Sequence, residues 1–159
     1  MEELRALFLL VVANGAPVIA RDLMGGHLDA PLDGGRCAPD GRPWLGPSKT
    51  LRGVLAAILC TAAVGPVVGL SWLVGAGVGA LAMAGDLLAS FTKRRLDVEP
   101  SGRTLVLDQV PESLLPLAVC AGPLGLDWWG VGGVTVAFFV LEVTVSPVLY
   151  RLGIRKRPY

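Results

Sequence analysis

The sequence is poor in charged residues and in the side chains that commonly bind metals in soluble proteins. Only 17% of its 159 residues are charged, histidine occurs once, and aromatic residues make up 6%. The three cysteines, Cys37, Cys60 and Cys120, lie far apart and show no metal-ligand spacing. With 53% hydrophobic residues and a mean hydropathy of +0.61, this composition excludes an ordinary soluble domain. The net charge of +1 says nothing about nucleic acid, and no nucleic-acid partner is predicted.

The longest stretch without charge lies between Arg52 and Asp86. It is too long for one membrane span of about 20 residues and slightly short for two. Two helices fit only if the second one continues through Asp86 to the cations that begin at Lys93. Asp86 then lies within membrane depth, where a carboxylate is costly enough to count as a functional-site hypothesis.

Three further apolar runs complete the pattern. We predict a single integral membrane domain over residues 1–159, all-α in class, with five transmembrane helices. The helices are predicted at roughly 4–22, 50–68, 71–92, 105–125 and 128–150, with cytoplasmic loops at roughly 24–49 and 93–104. The loop between helices 1 and 2 is rich in Gly, Pro and Asp, and its length is typical of a functional loop.

The distribution of Lys and Arg orients these helices. Every Lys and Arg except Arg5 falls on one side of the five-span arrangement, and the positive-inside rule makes that side cytoplasmic. We predict a multi-pass protein of the cell (inner) membrane, with the N-terminus outside and the C-terminus and active site in the cytoplasm. Small residues along helix 3 suit internal packing or a homodimer equally well.

Two acids are predicted to lie at similar depth on the cytoplasmic side, Asp86 in helix 3 and Asp108 in helix 4. Facing carboxylates in a low dielectric repel unless a cation lies between them, and hard oxygen ligands favour Mg²⁺. Asp86, Ser90 and Lys93 recur at helical spacing and share one face. Fixed positive charge for phosphate groups would come from Lys49, Arg52, Lys93, Arg94 and Arg95. This pattern indicates a site for a nucleotide and a lipid phosphate.

Simpler interpretations stay open for several of these residues. The cations 93–95 are typical of a positive-inside anchor, and Glu112 suits a helix N-terminus. Asp86 could pair with Lys93, and Glu142 has no assigned role. Two other functions are also compatible: a small transporter or channel whose polar path includes Asp86 and Glu142, and an inactive homologue acting as a membrane scaffold. A transport path would need acidic residues in both leaflets, but the outer half of the predicted membrane region has almost no charge apart from Glu142, which disfavours it.

Six fragments occur in a characteristic order: Asn14-Gly15-Ala16-Pro17-Val18, Pro31-Leu32-Asp33-Gly34-Gly35, Asp40-Gly41-Arg42, Lys49-Thr50-Leu51-Arg52-Gly53, Gly85-Asp86 with Ser90-Phe91-Thr92-Lys93-Arg94-Arg95, and Leu107-Asp108-Gln109. Together they resemble the CDP-archaeol synthase family, small membrane cytidylyltransferases of archaeal ether-lipid synthesis. They are more distantly similar to the bacterial and eukaryotic phosphatidate cytidylyltransferases.

The resemblance implies a Mg²⁺-dependent enzyme that transfers a cytidylyl group from CTP to a lipid phosphate in the bilayer and releases pyrophosphate. The product would be a CDP-activated lipid similar to CDP-archaeol or CDP-diacylglycerol. The implied catalytic residues are Asp86, Lys93 and Asp108, and the implied metal ligands are Asp86 and Asp108. The implied substrate-binding residues are Asn14, Asp33, Lys49, Arg52, Ser90, Arg94, Arg95 and Gln109.

One motif departs from the family pattern. Pro47-Ser48 precedes Lys49, where the family usually has an Asp-His pair. The C-terminal residues 152–159 look like a bacterial branch of the family, which would permit a natural lipid other than an archaeal one.

Overall fold

The computed structural model describes residues 1–98 and 105–151, and the regular secondary structure of this part is helical. The helices are α1 (Glu2–Met24), α2 (Leu51–Val67), α3 (Trp72–Arg95), α4 (Leu105–Val119), α5 (Ala121–Leu124) and α6 (Trp128–Arg151). The prediction of an all-α chain is confirmed for these residues. The predicted link 93–104 lies partly, and the basic tail 152–159 wholly, outside the described residues.

Three of these helices, α1, α3 and α6, are long and apolar enough to cross a membrane. Helix α2 is also apolar, but its 17 residues lie at the short end of the spanning range. Between residues 105 and 125 the chain forms two helices instead of the single one predicted. Helix α4 ends at Val119, and the short α5 ends at Leu124, where Gly125 caps it with a φ of 73°. Pro116 and Pro123 weaken a continuous helix there, since proline lacks the N–H for the helical hydrogen bond.

Helix α3 is central, packed between α2 and α4 and also touching α1. Its glycines permit these close approaches. A Cβ on Gly79 would overlap α2, and a Cβ on Gly85 would overlap the Pro111 carbonyl and stand 2.8 Å from the Glu112 Cα. Small residues allow such direct backbone contact between membrane helices. The contact at Gly85 places the next residue, Asp86, beside α4 at the level of Glu112.

The apolar core occupies the other half of the bundle. Its largest members are Leu9 and Leu10 of α1, Leu117 of α4 and Phe138 of α6, packed around Val78 of α3. The buried charged side chains instead lie at the start of α2, the end of α3, the middle of α4 and the second half of α6: Arg52, Lys93, Arg94, Glu112 and Glu142. The polar site therefore lies at one end of the bundle, next to the apolar core.

Residues 25–50 form a compact loop over this polar end. The two halves of the loop meet where the Leu32 N–H donates to the Lys49 carbonyl at 2.8 Å, and Cys37 forms an isolated β-bridge with Pro43. A second bridge joins Pro31 to Thr50, whose hydroxyl caps the start of α2 by accepting from the Gly53 N–H. The loop thus delivers Lys49 to the bundle immediately before α2 begins.

Candidate active site

A cavity of about 180 Å³ opens among α1, α2, α3, α4 and the end of the loop. Its polar lining residues include Asn14 from α1, Ser48 and Lys49 from the loop, Asp86 from α3 and Glu112 from α4. The rest of the lining is largely apolar and includes Pro17, Val18, Val54, Met83 and Leu87. A cavity lined by both charged and apolar side chains suits an amphiphilic substrate better than a purely polar one.

The Lys49 ammonium lies directly on the Asp86 carboxylate in this cavity. Its Nζ donates to both carboxylate oxygens, at 2.7 Å to Oδ1 and 2.6 Å to Oδ2. The sequence left open a pairing of Asp86 with Lys93, seven residues later on the same helix. The structure instead pairs Asp86 with a lysine 37 residues earlier in the chain. Charge-assisted hydrogen bonds of this length are strong, and they hold both side chains at the cavity.

Lys93 faces α4, where its Nζ lies 2.6 Å from the Asp108 Oδ1. This second ion pair joins α3 to α4 one helical turn before Glu112, since Asp108 and Glu112 follow at i and i+4. Ser90, Arg94 and Gln109 are buried in the same region, and the Gln109 Oε1 has no hydrogen-bond partner within the described part of the chain. Buried polar atoms normally find partners, so this orphaned oxygen marks a place where a bound polar group would be stabilised.

Arg52 is almost fully buried and holds the base of the loop. Its guanidinium donates to the backbone carbonyls of Gly25 and His27 and pairs with the Asp29 carboxylate at 2.6 Å. Because these contacts use both terminal nitrogens, the structure gives Arg52 a role in ordering the loop. Its predicted contact with phosphate stays a prediction.

Asp33 organises the interior of the loop. Its Oδ2 accepts the N–H groups of Gly46 at 2.9 Å and Leu45 at 3.0 Å, and its Oδ1 accepts the N–H of Gly35 at 3.0 Å. These hydrogen bonds, that of Gly46 first, hold the pKa of Asp33 below its usual range, against the opposing effect of burial. Asp33 therefore stays ionised at neutral pH and shapes the segment that carries Lys49.

Arg95 fastens the loop to the end of α3. Its guanidinium lies over the stacked rings of Trp44 and Phe91, at 5.9 and 5.3 Å from their centroids. It also pairs with the Asp40 carboxylate at 2.6 Å. From the loop side, Arg42 donates to the Arg95 carbonyl at 2.9 Å, which satisfies a free carbonyl at the helix C-terminus. We call the contacts of Arg95, Trp44, Asp40 and Arg42 the loop latch.

The eleven residues predicted from the sequence thus separate into three groups. The cavity contains Asn14, Lys49 and Asp86. The second group is on α3 and α4, where Lys93 and Asp108 form an ion pair and Ser90, Arg94 and Gln109 are buried. Asp33, Arg52 and Arg95 order the loop. Three polar residues of the cavity lining, Ser48, Thr50 and Glu112, were absent from the predicted set. The i, i+4 spacing of Asp108 and Glu112 is the sequence signal that could have indicated Glu112.

A single divalent cation suits the donors in this cavity. In the part of the chain that the structure describes, no three His, Cys, Asp or Glu side chains group as a protein-only metal site. Mg²⁺ commonly uses one or two carboxylates and completes its shell with water and substrate phosphates. Asp86 already binds a cationic group, the Lys49 ammonium, with both oxygens. The carboxylates present therefore fit a cation that arrives with a phosphate ligand.

Known proteins are similar to this chain over nearly its whole length. A sequence model of the CarS-like CDP-archaeol synthase family matches residues 3–159. The CDP-archaeol synthase of Aeropyrum pernix is 35% identical over 98% of this chain and 92% of its own length. The chain belongs to the CDP-archaeol synthase family. The family resemblance inferred from the ordered motifs is confirmed.

Further members of the CDP-archaeol synthase family extend the match. The CDP-archaeol synthase of Pyrobaculum calidifontis is 33% identical over the full length of both chains. A solved structure, described as an intramembrane enzyme for archaeal membrane lipids biosynthesis, is 30% identical with a TM-score of 0.76 and covers 89% of this chain and 90% of its own. These relatives are archaeal, so the expected bacterial branch is unsupported. The residues 152–159 on which that expectation rested lie outside the described structure.

Proposed function

We propose that this protein transfers a cytidylyl group from CTP to a membrane lipid phosphate, giving a CDP-activated lipid and pyrophosphate. The observation that carries the proposal is the cavity at the polar end of the bundle. Its lining combines a lysine–carboxylate pair with apolar side chains from α1, α2 and α3. A lipid phosphate likewise combines a charged group with apolar chains, and the curated relatives are named CDP-archaeol synthases.

In this proposal the phosphate oxygen of the lipid attacks the α-phosphorus of CTP, and pyrophosphate leaves with the electron pair of the broken bond. No covalent enzyme intermediate is needed. Such transfers depend on holding the two phosphates in line and on stabilising the charge that develops on their oxygens. Lys49 at the cavity and Lys93 at the α3–α4 interface are the cations that would bind these oxygens. Asn14, which also lines the cavity, would donate a hydrogen bond to them.

Mg²⁺ is the proposed cofactor, and Asp86 and Asp108 are its ligands in the set predicted from the sequence. When bound, the ion would neutralise phosphate charge and fix the orientation of the nucleotide. Ser90, Arg94 and Gln109 are buried on the same two helices as these acids, and we propose that they contact the nucleotide. Arg52, Asp33 and Arg95 act through the loop, because the structure ties each of them to it.

We further propose five membrane spans, formed by α1, α2, α3, α4 with α5, and α6. The N-terminus would be outside and the site cytoplasmic, because the Lys and Arg residues gather at the polar end and the positive-inside rule orients that end inward. CTP then reaches the cavity from the cytoplasm, while the lipid reaches its apolar side from the bilayer. The cell membrane is the proposed location, and the whole chain is one domain.

The test is purified protein in detergent or nanodiscs, given CTP and Mg²⁺ with an archaeol-type ether-lipid phosphate or a diacylglycerol phosphate. We expect release of pyrophosphate that depends on the lipid, with the ether lipid preferred as the names of the relatives suggest. No pyrophosphate with either lipid would contradict the proposed activity. It would favour a scaffold or a transporter.

A further inference from the structure

Glu112 lines the same cavity as Asp86, although the sequence placed it only as a helix N-terminal acid. We propose that Glu112 is a further metal-binding residue of this site and shares the divalent cation with Asp86. The inference rests on the proposed function, since it is the nucleotide phosphate that would bring the cation.

The packing of α3 on α4 places the two carboxylates at one level. Gly85 contacts the α4 backbone at Pro111 and Glu112, and a Cβ at Gly85 would stand 2.8 Å from the Glu112 Cα. Asp86 is the next residue after this contact, and both Asp86 and Glu112 line the cavity. A larger residue at Gly85 would separate the helices, so the glycine is what allows the two acids to share one cavity.

The cavity lining contains the oxygen ligands that a divalent cation prefers. Two carboxylates, those of Asp86 and Glu112, line it together with one ammonium, that of Lys49. Glu112 is only 7% exposed, and Mg²⁺ commonly binds one or two carboxylates together with substrate phosphate oxygens. A cation held by Asp86 and Glu112 would leave Lys49 available to an incoming phosphate.

Neutral oxygen donors complete a suitable environment. Asn14, Ser48 and Thr50 also line the cavity and can hold the water molecules that Mg²⁺ usually retains. Asp108 is absent from that lining, and its carboxylate pairs with Lys93 at 2.6 Å. The cavity therefore offers Glu112 as the more direct companion of Asp86, with Asp108 one turn away on the same helix.

The experiment measures Mn²⁺ binding to purified protein by the electron paramagnetic resonance signal of the free ion, with CTP present and lipid absent. Mn²⁺ accepts the oxygen ligands that Mg²⁺ prefers. Glu112→Gln should weaken Mn²⁺ binding by about tenfold or more, since outer-shell partners alone change metal affinity by about 10–100-fold. Glu112→Asp keeps the charge on a shorter side chain and should weaken Mn²⁺ binding by less than Glu112→Gln does. If Glu112→Gln does not fold, the Mn²⁺ affinity of Glu112→Asp tests whether Glu112 binds the metal.

Glu142→Gln is the matched control. Glu142 is also a buried glutamate, 8% exposed, but it is on α6 and outside the cavity lining. We expect this variant to bind Mn²⁺ as the unmodified protein does. Unchanged Mn²⁺ affinity in Glu112→Gln, or in Glu112→Asp where it alone folds, would overturn the inference while leaving the proposed activity intact. Loss of the activity itself is detected separately, by absent pyrophosphate release from the unmodified protein.

Discussion

Removal of the Lys49 ammonium should strengthen metal binding while it slows turnover. In the structure this ammonium lies where a cation would bind Asp86, donating to both oxygens at 2.7 and 2.6 Å. A divalent cation must therefore displace Lys49 from at least part of the carboxylate. Lys49→Met removes that competition and one positive charge, but it also removes a cation that the phosphates need.

The expected size follows from the exposure of the pair. The side chains of Lys49 and Asp86 are 21% and 25% exposed, so the pair is neither at the surface nor fully buried. A surface ion pair contributes about 0–1 kcal/mol, and breaking a buried one by removing a partner costs about 3–5 kcal/mol. We therefore assign about 1–2 kcal/mol to displacing Lys49, which corresponds to about 5–30-fold tighter Mn²⁺ binding in Lys49→Met. Turnover should fall by about 100-fold or more, as when one donor to a developing charge is removed.

Mn²⁺ titration without CTP, followed by the free-ion resonance signal, measures the first effect, and pyrophosphate release measures the second. Lys49→Arg keeps the charge and is the control, with Mn²⁺ affinity close to that of the unmodified protein. The reasoning is refuted if Lys49→Met binds Mn²⁺ no more tightly than the unmodified protein does.

Three further predictions concern the framework of the site. Gly85→Ala should destabilise the protein by about 1–3 kcal/mol, measured by thermal unfolding, because the added Cβ overlaps α4. Gly77→Ala is the control: its Cβ would meet only the Cys120 Sγ at 3.8 Å, so it should unfold at the same temperature as the unmodified protein. Asp33 has a lowered pKa, so its stabilisation of the loop is complete above about pH 4 and is lost as the pH falls through the lowered value. Asp33→Ala should make amide hydrogen exchange in the loop fast at pH 7, and equal protection in the two proteins would contradict this assignment. Arg95→Lys keeps the charge but loses the planar contact with two aromatic rings, so limited proteolysis should cut the loop faster; an unchanged rate would contradict the loop latch.

The all-α class and the family could be predicted from the sequence because both depend on local information. Long apolar runs separated by polar segments specify helices, and the ordered motifs around Asp33, Lys49 and Asp86 identify the family. The division of the chain at Cys120 was missed, since the apolar run continues through it. There Pro116 and Pro123 weaken the helix, and Gly125 ends it with a positive φ.

The contacts within the site depend on tertiary structure, which helical spacing does not reveal. Spacing placed Asp86 and Lys93 on one face, but the loop brings Lys49 to Asp86 while α4 brings Asp108 to Lys93. Arg95 belongs to the same run of cations, yet its contacts are with a loop about 50 residues earlier in the chain. Lys93 and Arg95, two residues apart in one run of cations, thus have different roles, and only the tertiary packing distinguishes them.

The transfer of label from CTP into lipid tests the central claim most directly. Purified protein is incubated with Mg²⁺, an archaeol-type lipid phosphate and CTP labelled at either the α- or the γ-phosphorus, and the lipid is then extracted. We predict that the α-label enters the lipid and the γ-label stays in water as pyrophosphate, and that Asp86→Asn abolishes the transfer while remaining membrane-inserted. Entry of the γ-label into lipid, or near-normal transfer by Asp86→Asn, would contradict the account.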